Sequence, residues 1–424
     1  MEMGERQVVC PKQAVILCGG LGARLRPITD NLPKPMVMVN GKPFLCHLLE
    51  QLSEQSITRF VLLTGYLGEQ ISDYFGDGSQ YGWSISYSRG PIEWDTGRRV
   101  WEARSQFDAQ FLLLYSDNFV QFNLQKLKRL HEELRTPISL LLAPKAKGNI
   151  KVSEQGRIQA YDKTRSGVGF DYVEVGYMVI ERDEILREFP LFTGFPDFNF
   201  SALLQKLSWQ QKIAGLVVRD SYRSISDPDR LELLRSYLKP KRILLIDRDG
   251  VINQKAPRGE YISTWEEFKW IPEMRQAMKE LATRGFKFIV ITNQAGVARG
   301  MVNTMELDRI HQLMISELRK EGIEILGVYT CPHHWDDNCE CRKPKPEMFF
   351  QISAKHLLRM DQTIFVGDDL RDREAAFNAG CGSLLIGQPE EAEHPGKTPK
   401  WTMNAHKFSD AVPAIESFFG SIKA

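Results

Sequence analysis

The chain has 424 residues, of which 26% are charged and 42% hydrophobic, and this length favours two domains that each bury a core. Its 55 Lys and Arg residues nearly balance 54 Asp and Glu residues, so no bulk field attracts nucleic acid or an anionic membrane. The first residues lack the apolar core of a signal peptide, and no apolar run approaches the ~18 residues of a membrane span. We therefore expect a cytoplasmic protein that binds neither nucleic acid nor membranes.

A glycine-rich stretch directly follows the first predicted strand, residues 13–18, which reads QAVILC. Gly19, Gly20 and Gly22 carry no side chains, so backbone N–H groups in this stretch can approach a triphosphate. Arg24 follows with a fixed positive charge that suits phosphate oxygens. The stretch is therefore a candidate site for a nucleoside triphosphate.

Lys34 lies farther along the same segment, between Pro33 and Pro35. Because prolines stiffen the backbone, this lysine is presented on a rigid loop. A glycine-rich turn alone is weak evidence, but the string GG-x-G-x-R-L-x-P-x-T…PKPM spans 18 residues and is much more specific. It resembles the sugar-1-phosphate nucleotidyltransferases, which join a nucleoside triphosphate to a sugar 1-phosphate and release pyrophosphate.

That resemblance extends over nearly the whole first half of the chain. It implies a doubly wound α/β sheet, and the alternation of apolar runs and helical stretches agrees with a mainly parallel sheet of this kind. By the same resemblance, Asp117, after the strand FLLLY, is the expected magnesium ligand. Lys163 is the expected contact to the sugar phosphate, and residues 173–180 take the place of the sugar-contact segment.

The first half also departs from the family pattern. Ala23 stands where a threonine is usual, and residues 94–99 replace two glycines of the loop that lies against the base in the family. Ser224 occupies the place of a second metal-binding aspartate, and Asp227 can substitute for it only if the loop shifts. Two alternatives follow: a working transferase, or a degenerate domain that still binds a sugar nucleotide.

The boundary between the halves is predicted between residues 238 and 239, giving domains 1–238 and 239–424. Residues 228–238 have the pattern of a short closing helix, which Pro240 cannot extend. No Gly/Ser-rich linker separates the halves, so we expect a fixed arrangement rather than a flexible tether.

Two carboxylates end the first strand of the second half. Residues 243–246 are a short apolar run typical of a strand buried on both faces, and Asp247 and Asp249 follow it. A period of two lets both side chains point to one crevice at the strand's carboxyl end, and Gly250 lets the chain turn away. One carboxylate can attack phosphorus while the other acts as general acid and base. Asp247 is the candidate nucleophile.

Later strand ends add the rest of a phosphate site. The strand over residues 286–291 ends in Thr292 and Asn293, which can donate to phosphoryl oxygens. Lys343 can neutralise charge that develops on the transferred group. Asp368 can complete a magnesium site with Asp247 and the backbone carbonyl of Asp249.

The order D-x-D, Thr, Lys and G-D-D-x-x-D is similar to the haloacid-dehalogenase phosphatases. Within that superfamily, DRDGVIN, YISTWEEFKWIP, TNQAGVARGM and CPHHWDDNCECRKPKP most resemble the D-glycero-D-manno-heptose 1,7-bisphosphate 7-phosphatases. Histidinol-phosphate phosphatase shares the DRDG start and a similar cysteine loop, but TNQAGVARG favours the heptose branch. By this resemblance Arg299 and Arg342 are expected to bind substrate.

Cysteine usage predicts a second metal site. Cys331, His333, Cys339 and Cys341 supply three sulfurs and one nitrogen within eleven residues, a set that suits a closed tetrahedral zinc site. We prefer His333 to His334 because the related phosphatases use the C-x-H position. With four protein ligands the zinc should be structural.

These observations predict a bifunctional α/β enzyme with two doubly wound domains and magnesium in both active sites. The second half would remove the 7-phosphate of a heptose bisphosphate, and the first would activate heptose 1-phosphate with a nucleoside triphosphate, GTP being our first choice. One alternative is a histidinol-phosphate phosphatase with an unrelated first domain. In the other, only the phosphatase turns over, and the first half is a regulatory module. An oligomer is compatible with the sequence.

Overall fold

A computed structural model describes residues 9–162, 169–189, 198–220, 222–387 and 398–422. Lys163, the expected sugar-phosphate contact, lies outside these residues. The chain divides into two compact units, one ending at Ser236 and the other beginning at Tyr237. In the described part of the chain, we find no helix with the length and apolar character needed to span a bilayer.

In its described residues, the first unit contains a large mixed sheet and two small two-stranded sheets. Its strands are β1 (Gln13–Cys18), β2 (Met38–Val39), β3 (Lys42–Pro43), β4 (Arg59–Thr64), β5 (Ser84–Arg89), β6 (Gln110–Tyr115), β7 (Asn118–Phe119), β8 (Ile138–Pro144), β9 (Ile150–Val152), β10 (Ile158–Tyr161), β11 (Tyr172–Glu181), β12 (Ile213–Val217) and β13 (Arg223–Ser224). Its helices are α1 (Phe44–Ser53), α2 (Gly68–Phe75), α3 (Thr96–Glu102), α4 (Leu124–Leu134), α5 (Arg182–Glu188), α6 (Phe200–Trp209) and α7 (Pro228–Leu238), inside which the division between the units falls.

Strand β1 lies at the centre of this sheet, in the order β10-β9-β11-β6-β1-β4-β5. It runs parallel to β4 and to β6. All of its residues are buried, and its apolar side chains lie on both faces of the sheet. On one face Val15 and Leu17 share a core with Leu203 and Leu207 of α6. The α/β class is therefore as predicted, but β11 runs antiparallel to both β6 and β8, so the sheet is more mixed than the sequence suggested.

The second unit carries a smaller sheet, and its elements again alternate. Its strands are β14 (Ile243–Ile246), β15 (Lys287–Asn293), β16 (Ile325–Cys331), β17 (Ile364–Gly367), β18 (Gly382–Ile386) and β19 (Thr402–Ala405). Its helices are α8 (Pro272–Thr283), α9 (Thr304–Lys320), α10 (Glu347–His356), α11 (Leu370–Ala379) and α12 (Phe408–Ser421).

All pairs in this second sheet are parallel, in the order β16-β15-β14-β17-β18-β19. Alternate residues of β14 enter different cores: Leu244 and Ile246 pack with α8, α9 and α12, whereas Ile243 and Leu245 pack with α10 and α11. Helices thus cover both faces, as the uninterrupted apolar run predicted. The carboxyl ends of β14, β15 and β17 consequently meet at one edge, where parallel sheets hold their ligands.

Candidate active sites

Asp247 and Asp249 leave β14 at the carboxyl edge and line one cavity of about 140 Å³. Gly250 turns the chain there with a φ of 88°, in the left-handed region that favours glycine. A Cβ at this position would lie 2.1 Å from Oδ2 of Asp368, so the turn has no room for a side chain. The glycine therefore permits the close approach of the D-x-D turn to the end of β17.

Lys343 reaches this edge from the loop after β16 and is almost fully buried. Its Nζ lies 2.7 Å from Oδ2 of Asp247 and 2.9 Å from Oδ1 of Asp372. Burial acts to lower the pKa of Lys343, but the two carboxylates outweigh it and the pKa is raised. The lysine is therefore a fixed positive charge beside the candidate nucleophile.

Asp372 is a site residue whose role the sequence did not reveal, although it ends the G-D-D-x-x-D fragment of residues 367–372. Its Oδ2 accepts hydrogen bonds of 3.3 Å from the backbone N–H groups of Asp368 and Asp369. A Cβ on Gly367 would lie 2.3 Å from the Cβ of Asp372, which explains the glycine before the two aspartates. Asp372 thus shapes the loop after β17 and orients Lys343.

Three carboxylates, from Asp247, Asp368 and Asp372, place one oxygen each within 4.8 Å of one another. Oδ1 of Asp368 is buried and has no hydrogen-bond partner among the described residues. Its other oxygen, Oδ2, lies 2.6 Å from Nζ of Lys255. A buried carboxylate oxygen without a donor is costly unless a cation completes it, so these oxygen ligands fit a divalent metal such as Mg²⁺.

Asp249 is held by side-chain donors on both oxygens. Asn253 donates to Oδ1 at 2.9 Å, Gln294 donates to Oδ2 at 2.6 Å, and Arg248 donates to both. Burial acts to raise the pKa of Asp249, but the charge of Arg248 and these hydrogen bonds outweigh it, and the pKa is lowered. In this arrangement Asp249 is better prepared to accept a proton than to give one.

The cavity contains most of the residues that were predicted for the phosphatase site. It is lined by Asp247, Asp249, Lys255, Thr292, Asn293, Arg342, Lys343, Asp368, Asp369, Arg371 and Asp372. Asn293 also exchanges hydrogen bonds with the backbone of Lys343, at 3.1 and 3.2 Å, and so fixes the lysine loop. Lys255 and Arg371 were not anticipated, because Lys255 lies outside the quoted motifs and Arg371 stands at a variable position between Asp369 and Asp372.

Arg299 is not among the residues that line this cavity. Its guanidinium lies 5.7 Å from the ring centre of Tyr261 and 5.6 Å from that of Trp335, and it donates to the Tyr261 hydroxyl at 3.3 Å. The sequence suggested direct substrate binding for Arg299. The structure shows it joining the loop after β15 to the loop that carries the cysteines.

Cys331, His333, Cys339 and Cys341 come together after β16, as the spacing predicted. The distances between neighbouring ligand atoms run from 3.1 Å, between Nδ1 of His333 and Sγ of Cys341, to 3.7 Å. With Zn–S bonds of about 2.3 Å, a tetrahedron has edges of about 3.8 Å, so the set is close to the size that zinc requires. His334 instead caps the following turn, because its Nδ1 accepts a hydrogen bond of 3.3 Å from the backbone N–H of Asp336.

In the first unit, Lys34 and Asp117 meet at the carboxyl ends of the strands. Nζ of Lys34 lies 2.7 Å from Oδ2 of Asp117, which follows β6. The side chains are 14% and 29% exposed, so a ligand can still reach the pair. The rigid loop around Lys34 is thereby joined to the strand end that carries the predicted metal ligand.

The glycine-rich loop after β1 covers a buried arginine that the sequence did not mark as a site residue. A Cβ on Gly19 would lie 2.4 Å from Cζ of Arg99, whose guanidinium donates to the carbonyls of Thr64 and Pro91 at 2.8 and 2.7 Å. Gly20 and Arg24 are exposed beyond this contact. Gly22 has a φ of 65°, so the turn before Arg24 also favours glycine.

Ser224 lies next to the Asp117 strand end, which is the position expected from the family pattern. It is the register partner of Asn118 in the small β13–β7 ladder, and the N–H of Ile225 donates to the carbonyl of Asp117 at 3.0 Å. Asp227 has a different task, because its Oδ1 accepts from the backbone N–H of Arg230 at 3.0 Å and so caps α7. The hydroxyl of Ser224 accepts a hydrogen bond of 2.9 Å from the hydroxyl of Ser226, so a hydroxyl and not a carboxylate stands at this position.

Comparisons with known proteins agree with the two-part organisation. The family model described as nucleotidyl transferase matches residues 13–164, and the one described as polynucleotide kinase 3 phosphatase matches residues 242–408. The chain is similar to D-glycero-alpha-D-manno-heptose-1,7-bisphosphate 7-phosphatase of Mycobacterium tuberculosis, with 36% identity over 154 residues, 34% of this chain and 78% of that protein. The D-glycero-beta-D-manno-heptose-1,7-bisphosphate 7-phosphatase of Helicobacter pylori is 31% identical over 180 residues, 42% of this chain and 100% of that protein.

Among solved structures, HddC from Yersinia pseudotuberculosis aligns with 54% of this chain and 100% of its own, with 20% identity and a TM-score of 0.45. The two family-model matches define an enzyme that joins a nucleotidyltransferase to a phosphatase of the haloacid-dehalogenase type. Through its C-terminal half, the chain belongs to the family of D-glycero-D-manno-heptose-1,7-bisphosphate 7-phosphatases. The fusion that the sequence motifs predicted is confirmed.

Proposed function

We propose that domain 239–424 removes the 7-phosphate from a heptose 1,7-bisphosphate, and that domain 1–238 then activates the heptose 1-phosphate. The second reaction joins the sugar phosphate to a nucleotidyl group and releases pyrophosphate, with GTP as our first-choice donor. The observation that carries the proposal is the convergence of Asp247, Asp249 and Lys343 on one small cavity, in a domain related to phosphatases of this substrate class.

In the proposed phosphatase reaction, a carboxylate oxygen of Asp247 attacks phosphorus and the bond to the sugar oxygen breaks. Asp249 takes a proton from the water that hydrolyses the aspartyl phosphate, and in the protonated form that results it gives a proton to a departing sugar oxygen. Lys343 offsets the negative charge of the phosphoryl group, and Thr292, Asn293 and Arg342 face it from the cavity wall.

Mg²⁺ bound by Asp247, Asp368 and the Asp249 carbonyl would further polarise the phosphoryl group. Asp372 belongs to the same cluster of carboxylates, and its bond to Lys343 orients the lysine toward that group. Zn²⁺ on the cysteine cluster is assigned a structural role, because four protein ligands leave no open position. It would stabilise the loop that ends in Arg342 and Lys343.

In the proposed transferase reaction, the glycine-rich loop, Arg24 and Lys34 bind the triphosphate, and Asp117 holds a second Mg²⁺. Lys163 would contact the sugar phosphate. The pairing of Lys34 with Asp117 supports this assignment, because a metal bound to Asp117 and a lysine beside it can act on the same phosphates. Both groups lie at the carboxyl edge of the sheet, where ligands bind in this class of fold.

A substrate matrix tests both halves together. The four nucleoside triphosphates are combined with the 1-phosphates of heptose, mannose and glucose, and pyrophosphate is measured. Phosphate release is compared between heptose 1,7-bisphosphate and histidinol phosphate, with both anomers of the bisphosphate because the relatives' names include alpha and beta forms. We expect the highest transferase rate with GTP and heptose 1-phosphate. Preferential hydrolysis of histidinol phosphate would contradict the proposed substrate.

The Asp247→Asn variant shows which half performs which reaction. It should lose phosphate release, because an amide cannot act as the nucleophile, and should keep pyrophosphate release, because the transferase residues belong to the other unit. Normal phosphate release from this variant would exclude Asp247 as the nucleophile.

Ser224 favours a second candidate function for the first unit. Because Ser224 replaces a carboxylate and Asp227 caps α7, the unit would bind a sugar nucleotide without turning it over, and only the phosphatase would be active. Absence of pyrophosphate with every pair, in a preparation whose phosphatase is active, would favour this reading.

A further inference from the structure

Arg248 lies between the two aspartates in sequence, but its side chain turns away from the cavity and is fully buried. Its guanidinium donates to both carboxylate oxygens of Asp249. Oδ1 accepts from Nε at 3.1 Å and from Nη2 at 2.9 Å, and Oδ2 accepts from Nη2 at 2.9 Å. A planar guanidinium in this fork fixes the rotation of a carboxylate, which a lysine cannot do.

The far side of the same guanidinium is held by His311 of α9. Nη1 of Arg248 donates to Nε2 of His311 at 3.1 Å, and the ring is 6% exposed. Nε2 can accept this bond only when it carries no proton, and burial together with the charge of Arg248 lowers the pKa of His311 to about 3. The neutral ring is therefore a fixed acceptor behind the arginine.

We propose that Arg248 and His311 are positioning residues that hold the Asp249 carboxylate toward the water that hydrolyses the phosphorylated Asp247. The inference rests on the proposed phosphatase function. In the step concerned, the water oxygen bonds to phosphorus, its proton goes to Asp249, and the bond from phosphorus to the Asp247 oxygen breaks. Inorganic phosphate leaves and Asp247 is again a free carboxylate.

Two features of the site support this assignment. Within the described residues, Arg248 does not line the cavity and its guanidinium has no hydrogen bond to Asp247, so it acts through Asp249. The side-chain amides of Asn253 and Gln294 donate to the same carboxylate, which therefore has little freedom to rotate. The imidazole of His311 on α9, the guanidinium of Arg248 and the carboxylate of Asp249 are thus in direct contact, in that order toward the cavity.

The test uses the full chain with p-nitrophenyl phosphate, whose leaving group departs without needing a proton. For this substrate kcat/KM reports phosphorylation of Asp247, whereas kcat falls when the later hydrolysis becomes slow. In Arg248→Met we expect kcat to fall by about 10²-fold while kcat/KM changes by less than about threefold. A rapid burst of p-nitrophenolate should precede the slow turnover. Arg248→Lys should restore little, because it keeps the charge but loses the fork.

Substitutions of His311 are a second, less disruptive set of variants, and they keep the test valid if Arg248→Met does not fold. His311→Leu removes the acceptor, and the ring borders a cavity of about 390 Å³ that leaves space for the change. His311→Gln keeps an acceptor and should recover most of the kcat. Gln312→Leu, an exposed neighbour on the same helix that lines the same cavity, is the matched control and should behave as wild type.

Two outcomes would overturn the proposal: a parallel fall of kcat and kcat/KM in folded variants, or equal effects of His311→Leu and Gln312→Leu. Thermal unfolding of each variant establishes that it is folded. Failure of the proposed function is distinguishable, because the wild type would then hydrolyse p-nitrophenyl phosphate but not heptose bisphosphate, and the comparison of variants would still hold.

Discussion

Nζ of Lys34 and Oδ2 of Asp117 form an ion pair of 2.7 Å, although 83 positions separate the two residues in the chain. The rigid PKP loop and the end of β6 are thereby brought to one point. The lysine and the carboxylate were assigned separately, one to the triphosphate and the other to magnesium. Their contact means that each residue sets the position of the other.

The first prediction follows from this pair. Lys34→Ala and Asp117→Ala should each lower pyrophosphate release by about 10²-fold or more, because the first removes a positive charge that would face the phosphates and the second removes the proposed magnesium ligand. The control is phosphate release by the same preparations, which should match wild type. Arg26→Ala, which breaks an exposed ion pair with Asp30 on the same segment, should have a much smaller effect. Equal losses in all three variants would argue against a special role for the pair.

The second prediction concerns Ser224. Ser224→Asp places a carboxylate in register with the Asp117 strand end, so the Mg²⁺ concentration needed for half-maximal pyrophosphate release should decrease. Asp227→Ala should leave this requirement unchanged and instead lower the melting temperature, because Asp227 caps α7. A changed magnesium requirement in Asp227→Ala, with no gain in Ser224→Asp, would show that Asp227 is the second ligand.

The third prediction concerns Lys255, whose ammonium lies 2.6 Å from Oδ2 of Asp368. A divalent cation has to compete with this ammonium, so Lys255→Met should tighten binding of Mn²⁺ in the absence of substrate. Because Lys255 is 48% exposed, we expect only a twofold to fivefold change, roughly the range of an exposed ion pair. Calorimetry or electron paramagnetic resonance gives the affinity directly.

Arg371→Met is the matched control for that measurement. Arg371 lines the same cavity but pairs with Asp369 at 2.8 Å. Its removal should change the Mn²⁺ affinity less than removal of Lys255. Weaker binding in Lys255→Met would contradict competition at Asp368.

The fourth prediction concerns the cysteine cluster. Cys339→Ser should release zinc and loosen the loop that leads to Lys343, so phosphatase activity should fall by at least about 10-fold although no proposed catalytic group is changed. Metal analysis of the purified protein and phosphate release are the two measurements. Cys381→Ser, a buried cysteine outside the cluster, is the control for loss of a thiol. Full phosphatase activity of a Cys339→Ser protein that contains no zinc would contradict the structural role proposed for the metal.

Sequence alone located the residues that depend on local pattern. The apolar run of β14 has its predicted bounds because a strand buried on both faces tolerates no polar residue, and the carboxylates that end it are therefore conspicuous. Cys331 to Cys341 were found by spacing, since ligands for one ion must lie close together. Parallel packing then made the meeting of β14, β15 and β17 at one edge predictable.

Tertiary structure decided which side chains touch across long separations. The contacts of Arg248 with His311, of Lys255 with Asp368 and of Arg99 with Gly19 depend on how helices and loops pack, and no local period encodes them. Arg299 and Asp227 have contacts that their residue types did not indicate, because packing brings Arg299 to Tyr261 in another loop and Asp227 to the first turn of α7. The sequence by itself determined the strand ends and the metal-ligand spacing, whereas the fold determined the partner of each charge, because burial makes an unpaired charge too costly to leave.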